Sequence, residues 1–389
     1  MNFDILINRR GTNCVKWDTA TEEDVIPMWV ADMDFKTAPC ITEAIARRVS
    51  QGIFGYTIVP DSYYEAIIKW FDKRHGWNIG HDWIIYTSGV VPAISATIKA
   101  LTSPGDKVLI QTPVYNCFFS SIRNNGCEII ENPLVYENNE YNIDFDDFEK
   151  KAADKDVKVF LLCNPHNPAG RVWKRQELER MNQICTSHGV KVISDEIHCE
   201  LVMPGHEYTP FASVSEECLN NSVVLNSPSK AFNTAGLQIA NIISNNKNVR
   251  KKINRAININ EICDVNPFGV IALQAAYNDG GEWLDCLKAY LYDNYMTLCD
   301  FFKRNIPEIG ITHLEGTYLV WADIRKTGIT SDTLTSMLLK EGRVMVNSGT
   351  MYGEKAGEGF IRINIACPRS RMLEGLKRIA GVVGNISRD

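Results

Sequence analysis

The sequence has no Cys-x-x-Cys pair, no Gly-Lys pair and no excess of basic charge, and it lacks any run of about 18 consecutive apolar residues. Each absence removes a class of protein. Twelve scattered cysteines without metal-ligand or framework spacing exclude a zinc finger or disulfide scaffold, and read instead as free, buried thiols in a reducing compartment. Without Gly-Lys there is no phosphate loop of the NTPase kind, so DEIH (195–198) is not the acidic box of a nucleic-acid-dependent NTPase. A net charge of -6 with interspersed signs leaves no footprint for nucleic acid, and the partners expected are small molecules. Lacking a membrane-length apolar run, the chain is expected to be soluble and without a membrane partner. The opening MNFDILINRRGTNCVKWD has no basic start, apolar core and small-residue cleavage site, so a cytoplasmic location is expected.

Within these bounds, 389 residues with 45% hydrophobic and 23% charged content suit a two-domain globular enzyme. Short apolar, β-branched runs recur at 107–111, 127–131, 157–163, 190–195, 222–226 and 239–244. Several are separated by segments with apolar residues at three- and four-residue steps, as at 91–101 and 174–188. The alternation predicts an α/β fold with a mostly parallel sheet flanked by helices. After about residue 280 the pattern becomes one long amphipathic helix (282–305), strands at 317–324, 343–349 and 359–366, and a helix at 370–383. That predicts a smaller α+β domain over 281–389, with a large domain over 49–280 and residues 1–48 returning to the small one.

Ligands of open parallel sheets bind beyond the carboxyl ends of the strands. The residues there are YTSGVV (86–91), NPHNPAG (164–170), DEIHCE (195–200) and SPSK (227–230). Taken singly, each has a bland reading: Ser-Gly as a helix start, Asn167 as a turn former, Asp195 as a paired buried acid, and Lys230 as a solvated charge. Together they supply a helix end for a phosphate, a carboxylate for a ring nitrogen, a donor for a phenolic oxygen and an amine for an aldehyde, which is the inventory pyridoxal phosphate requires. DEIHCE as a metal site needs Glu196, His198 and Glu200 on one strand face, and no matching histidine cluster is evident elsewhere in the sequence, so no metal is expected.

These residues resemble the fold-type I pyridoxal-phosphate enzymes of the class I/II aminotransferase group, and within it the MalY/PatB-type cystathionine β-lyases. The likeness runs through IPMWVADMDF, FGYT (54–57), SGVVPAI (88–94), TPVYNCF (112–118), NPHNPAGRVW (164–173), SDEIHCEL (194–201), SPSKAFN (227–233) and GFIRIN (359–364). It implies a seven-stranded sheet and pyridoxal 5'-phosphate as cofactor. Lys230 would hold the cofactor and shuttle the substrate's α-proton. Asp195 would face the ring nitrogen, Asn167 the ring oxygen, and Tyr115 the ring face. The phosphate would rest on Val90, Val91 and Ser227, with Tyr56 reaching in from a second subunit of a homodimer. Arg362 would clamp the α-carboxylate of an amino-acid substrate.

Two positions depart from the wider aminotransferase pattern: Gln238 stands where many members carry a phosphate-binding arginine, and His198 where they carry tyrosine. Both imply the lyase branch. His198 is expected in the cofactor's surroundings, although strand alternation would turn it away from the Asp195 face. The activity implied is β-elimination from a sulfur amino acid, cystathionine giving homocysteine, pyruvate and ammonia, or cysteine giving sulfide. Transamination shares every step up to the carbanion and stays open, as does an added regulatory, protein-binding role.

Overall fold

The computed structural model describes residues 1–20, 22, 24–259 and 264–386. Among the described residues, seven strands form one sheet in the spatial order Ile84–Thr87, Ala240–Ile243, Ser222–Asn226, Lys191–Asp195, Val157–Cys163, Lys107–Thr112 and Glu128–Pro133. The central strands are apolar on both faces because helices cover both: SVVLN is buried throughout and VKVFLLC at six of its seven positions. The helix Val90–Leu101 shows why the three- and four-residue steps matter, since Val90, Ala93, Ile94, Thr97 and Ile98 form its one buried stripe.

Six of the seven strands run in one direction. Ala240–Ile243 pairs antiparallel with both its neighbours. A parallel return uses a crossover that is usually an α-helix, whereas the 13 residues between Asn226 and Ala240 hold only a short helical turn, Ala235–Leu237, and turn back directly. That turn carries Lys230. It therefore stands at the carboxyl end of one strand, next to the strand that ends in Asp195.

A second, four-stranded antiparallel sheet comprises Gly310–Ile311, Leu319–Asp323, Phe360–Asn364 and Asn347–Ser348 in that order. The single strand expected at 343–349 is two: Val344–Met345 pairs in parallel with Ile26–Pro27, and only Asn347–Ser348 joins the sheet. Residues 26–34 are thereby stitched to the C-terminal third of the chain. Asn364 N donates to the Met28 carbonyl and Asp34 N to that of Ala366, both at 2.9 Å. Eleven described cysteines carry free thiols, six of them buried and five half-buried; Cys263 lies outside the described residues. Among the described residues, no helix is long and apolar enough to cross a membrane.

The stitch is locked by Asp34, whose side chain is wholly buried. Its Oδ1 accepts from Trp17 Nε1 at 2.8 Å and from Arg9 Nη1 at 2.9 Å, while Oδ2 faces Lys16 Nζ at 3.2 Å and Arg371 Nη1 at 3.5 Å. Lys16 is itself only 1% exposed, so the pair is mutually dependent. Removing Asp34 leaves Lys16 buried without a counter-ion, a loss of about 3–5 kcal/mol. Asp34→Ala is therefore expected to lower the urea midpoint substantially, whereas Lys69→Ala, which loses only an exposed i,i+4 pair, should leave it nearly unchanged. Equal midpoints for the two variants would refute the role given to Asp34.

Candidate active site

The strand ends open onto a cavity of about 470 Å³. Its wall brings together Val90, Val91, Tyr115, Asn167, Asp195, His198, Lys230 and Arg362, eight of the ten residues singled out in the sequence. Two stand elsewhere. Ser227 is buried beneath the wall, donating its hydroxyl proton to the Ile239 carbonyl at 2.6 Å and accepting the Ser229 amide at 3.1 Å. The lining serine is Ser229, because the turn after Asn226 swings its second serine outward. Tyr56 is 96% exposed in the irregular segment 52–60 and does not reach the cavity of its own chain.

Lys230 is half-buried, and its Nζ donates to the Ala31 carbonyl at 2.8 Å. Burial and the nearby Arg362 guanidinium lower its pKa to about 8, against the pull of Asp32 and Asp195. Asp195, 3% exposed, goes the other way: burial raises it to about 7, although the Ile197 amide (3.2 Å to Oδ1) and the Lys230 charge favour its anion. Each group is thus held near the midpoint of its own titration at neutral pH.

Arg362 rises from the strand Phe360–Asn364, buried over the Tyr352 ring with its guanidinium carbon 4.7 Å from the ring centre. Its Nη1 donates to Asn167 Oδ1 and its Nη2 to the Trp29 carbonyl, each at 2.9 Å. Its Nε is buried without a partner. Because Oδ1 of Asn167 is engaged by Arg362, the amide nitrogen of Asn167 remains a donor for something else.

At the far end, the helix Val90–Leu101 begins at Gly89 with no side chain capping its first turn, which leaves a positive helix end facing the cavity. Ser88, Ser229 and Gln238 also line the cavity. Among the described residues of the wall, Lys230 and Arg362 are the only lysine and arginine, so an anion at the helix end would meet hydrogen-bond donors and a helix dipole.

The strand holding Asp195 stops at that residue, and 197–200 form a turn. Period-two alternation therefore does not apply beyond Asp195, and His198 lies in the cavity wall with Nδ1 buried and unpaired. Burial, with Lys230 and Arg362 close by, drives its pKa well below the usual histidine range, so the ring is neutral. The same turn separates Glu196 from Glu200. Glu196 accepts from Ser194, Tyr208 and the Phe211 amide, whereas Glu200 accepts from Trp70, His75 and Arg74. Glu196 and Glu200 are thus engaged by separate sets of donors.

The segment around Trp29 to Phe35 and the loop NSGTMYG (347–353), which the sequence offers as the pocket for the substrate's side chain, both contribute to the wall. The carbonyls of Trp29 and Ala31 hold the two cations, and Asn347, Met351 and Tyr352 line the cavity together with Cys117. The role of the two carbonyls has no residue-type signal in the sequence.

The chain as a whole is similar to known proteins. The chain is 42% identical over 383 residues, 97% of its own length and 99% of the other's, to cystathionine beta-lyase PatB of Bacillus subtilis (strain 168). Cystalysin from Treponema denticola, whose crystal structure contains pyridoxal 5'-phosphate, superposes with a TM-score of 0.95 at 36% identity, covering 99% of both chains. A PLP-bound C-S lyase from Staphylococcus hominis, complexed with the inhibitor L-cycloserine, gives 0.93 at 34% identity over 98% of both. The family model for aminotransferase class I and II matches residues 23–379, and the chain belongs to that family.

Proposed function

We propose that this protein is a pyridoxal-phosphate-dependent carbon-sulfur β-lyase acting on sulfur amino acids, with L-cystathionine cleaved to homocysteine, pyruvate and ammonia. The observation that carries the reading is the convergence of Lys230, Asp195 and Arg362 on one cavity, in a chain that matches a cystathionine β-lyase over nearly its whole length.

The residues present fit the cofactor. Asp195 is a buried acid whose anion would be completed by a protonated ring nitrogen. The uncapped helix start at Val90 and Val91, with Ser229 and Gln238, would take the phosphate through hydrogen bonds. The free amide nitrogen of Asn167 would donate to the ring oxygen, Tyr115 would cover a ring face, and Lys230 would hold the aldehyde carbon. When bound, pyridoxal phosphate supplies a ring that accepts the electron pair left at the substrate's α-carbon.

The chain's own residues do the rest. Arg362 offers its unpaired Nε to the substrate's α-carboxylate, in a fork that fixes the α-carbon. Lys230, with its pKa lowered to about 8, takes the α-proton and releases it without a large penalty either way. The neutral ring of His198 adds no positive charge to compete with these two cations. Departure of a thiolate from the β-carbon needs no second substrate, which is what separates the lyase from a transaminase. The protein is further proposed to be a cytoplasmic homodimer, supported by the exposed strip Ile53, Phe54, Tyr56 and Ile58, with Tyr56 completing the partner's site.

Purified protein given cystathionine without any keto acid is expected to release thiol and pyruvate in equal amounts, and Lys230→Ala to release neither and lose the visible cofactor absorbance. Keto-acid-dependent amine transfer without pyruvate would overturn the lyase assignment.

Arg362→Lys should raise KM by about tenfold or more while leaving cofactor absorbance in place, since an ammonium cannot reproduce the fork. An unchanged KM would remove Arg362 from the substrate site.

A third expectation concerns pH. In cofactor-free protein Asp195 keeps its proton up to about pH 7, whereas in the unfolded chain it releases it near about pH 4. The folded state binds the extra proton between those values, so this contribution to stability is full below the lower one and is lost as pH rises through the upper. Asp195→Asn should flatten the fall of the melting temperature between about pH 4 and 7 in cofactor-free protein. Parallel melting curves for wild type and variant would contradict the burial argument.

A further inference from the structure

We propose that His206, His313 and Glu315 bind a single divalent transition-metal ion of borderline softness, such as zinc, at a site that shares no lining residue with the catalytic cavity. One ligand atom from each of the three lies within 4.8 Å of the others. The linear sequence hides the cluster because His206 sits on the loop after Met203 while His313 and Glu315 belong to the segment entering the second sheet. The structure joins the two, with Met203 N donating to the Glu315 carbonyl at 2.9 Å and Val202 bridging to Gly316.

The carboxylate is already oriented. Oε2 of Glu315 accepts the Val172 amide at 2.7 Å and Arg171 Nε at 2.9 Å, which leaves Oε1 facing His206 Nδ1 at 3.9 Å. A ligating carboxylate steadied through its other oxygen is the usual outer-shell arrangement of metal sites. The positive charge of Arg171 is itself answered by Glu177, whose two oxygens lie 3.1 and 3.2 Å from Nη2. The two imidazole rings stand 5.3 Å apart at 61°. Oε1 of Glu140, 3.7 Å from His313 Nδ1, offers a fourth ligand or a partner for the second ring nitrogen.

Tetrahedral zinc with ligand distances of about 2.0–2.2 Å requires ligand atoms roughly 3.3 Å apart, so separations of up to 4.8 Å must contract by up to about 1.5 Å. His206 is half-buried and His313 exposed at 47%, and rotamer adjustment supplies that movement. Two imidazoles and a carboxylate select zinc and its neighbours over magnesium or calcium, which take oxygen shells. The ion would pin the 203–207 loop to the 313–316 segment, next to the Thr317–Leu201 backbone bond at the start of the strand that pairs with Arg362's own. Its effect is on rigidity, outside the reaction itself.

Cofactor-loaded protein, freed of metal with a chelator, would be titrated with zinc against a competing chromophoric chelator, and its melting temperature recorded. Wild type should bind one equivalent and melt higher with zinc. His206→Ala and His313→Ala should each lower affinity at least about tenfold and abolish the zinc-dependent shift, with cofactor absorbance unchanged. The exposed His313 keeps the test open should His206→Ala fail to fold. No saturable binding at micromolar zinc, or binding unaltered in His313→Ala, would overturn the proposal; in the latter case the ion sits on the protein's thiols.

Discussion

A buried carboxylate, Asp34, holds the strip of backbone on which the catalytic cavity depends. Gathered by Arg9, Lys16, Trp17 and Arg371, it fixes residues 29–34 across the cavity so that their carbonyls point at side chains. Trp29 O receives Arg362, Ala31 O receives Lys230, and the carbonyls of Val30 and Asp32 receive Asn364, two positions along the same strand as Arg362. Two cations in one low-dielectric space repel, and neutral carbonyls let both persist without either being neutralised by an acid. Had carboxylates stood in those places, Lys230 would be a locked ion pair with a raised pKa and a poor proton carrier.

The same frugality with counter-ions explains the opposed pKa values of the cavity. Asp195 is pushed up and Lys230 pushed down because each loses water on burial and neither meets a full partner. Under the proposed function, a cationic ring nitrogen would answer the acid, a carbonyl carbon the amine, and a carboxylate the orphaned Nε of Arg362. The uncapped first turn at Val90 adds a fourth unfilled requirement. Buried polar groups left unsatisfied cost stability, so their concentration in one cavity marks where a ligand supplies the missing interactions.

Much of this was legible in the sequence, for reasons that can be stated. Strands buried on both faces leave near-continuous apolar runs, and SVVLN and VKVFLLC match their observed strands end for end. Side chains at strand ends carry chemistry in their residue type, so Lys230, Asp195 and Asn167 stood out. What escaped was whatever depends on local backbone path. Ser227 and Ser229 are identical in type and differ only in where a turn points them. His198 was turned the wrong way because alternation was extended past the end of its strand. The Trp29 and Ala31 carbonyls have no residue signature at all, and the three residues of the His206 cluster meet only because a β-bridge joins distant segments.

The thread between Ile26–Pro27 and Val344–Met345 bears on how the molecule is made. A chain emerging from the ribosome displays Lys16 and Asp34 long before Arg371 or the Arg362 strand exists, so the early pair must wait in a partly assembled, water-exposed state. The seven-stranded sheet has all its strands by residue 243, and it can form while the roof of the cavity is still missing. Under the proposed function, the lysine meant to hold the cofactor is therefore synthesised well before Arg362, the residue meant to grip the substrate.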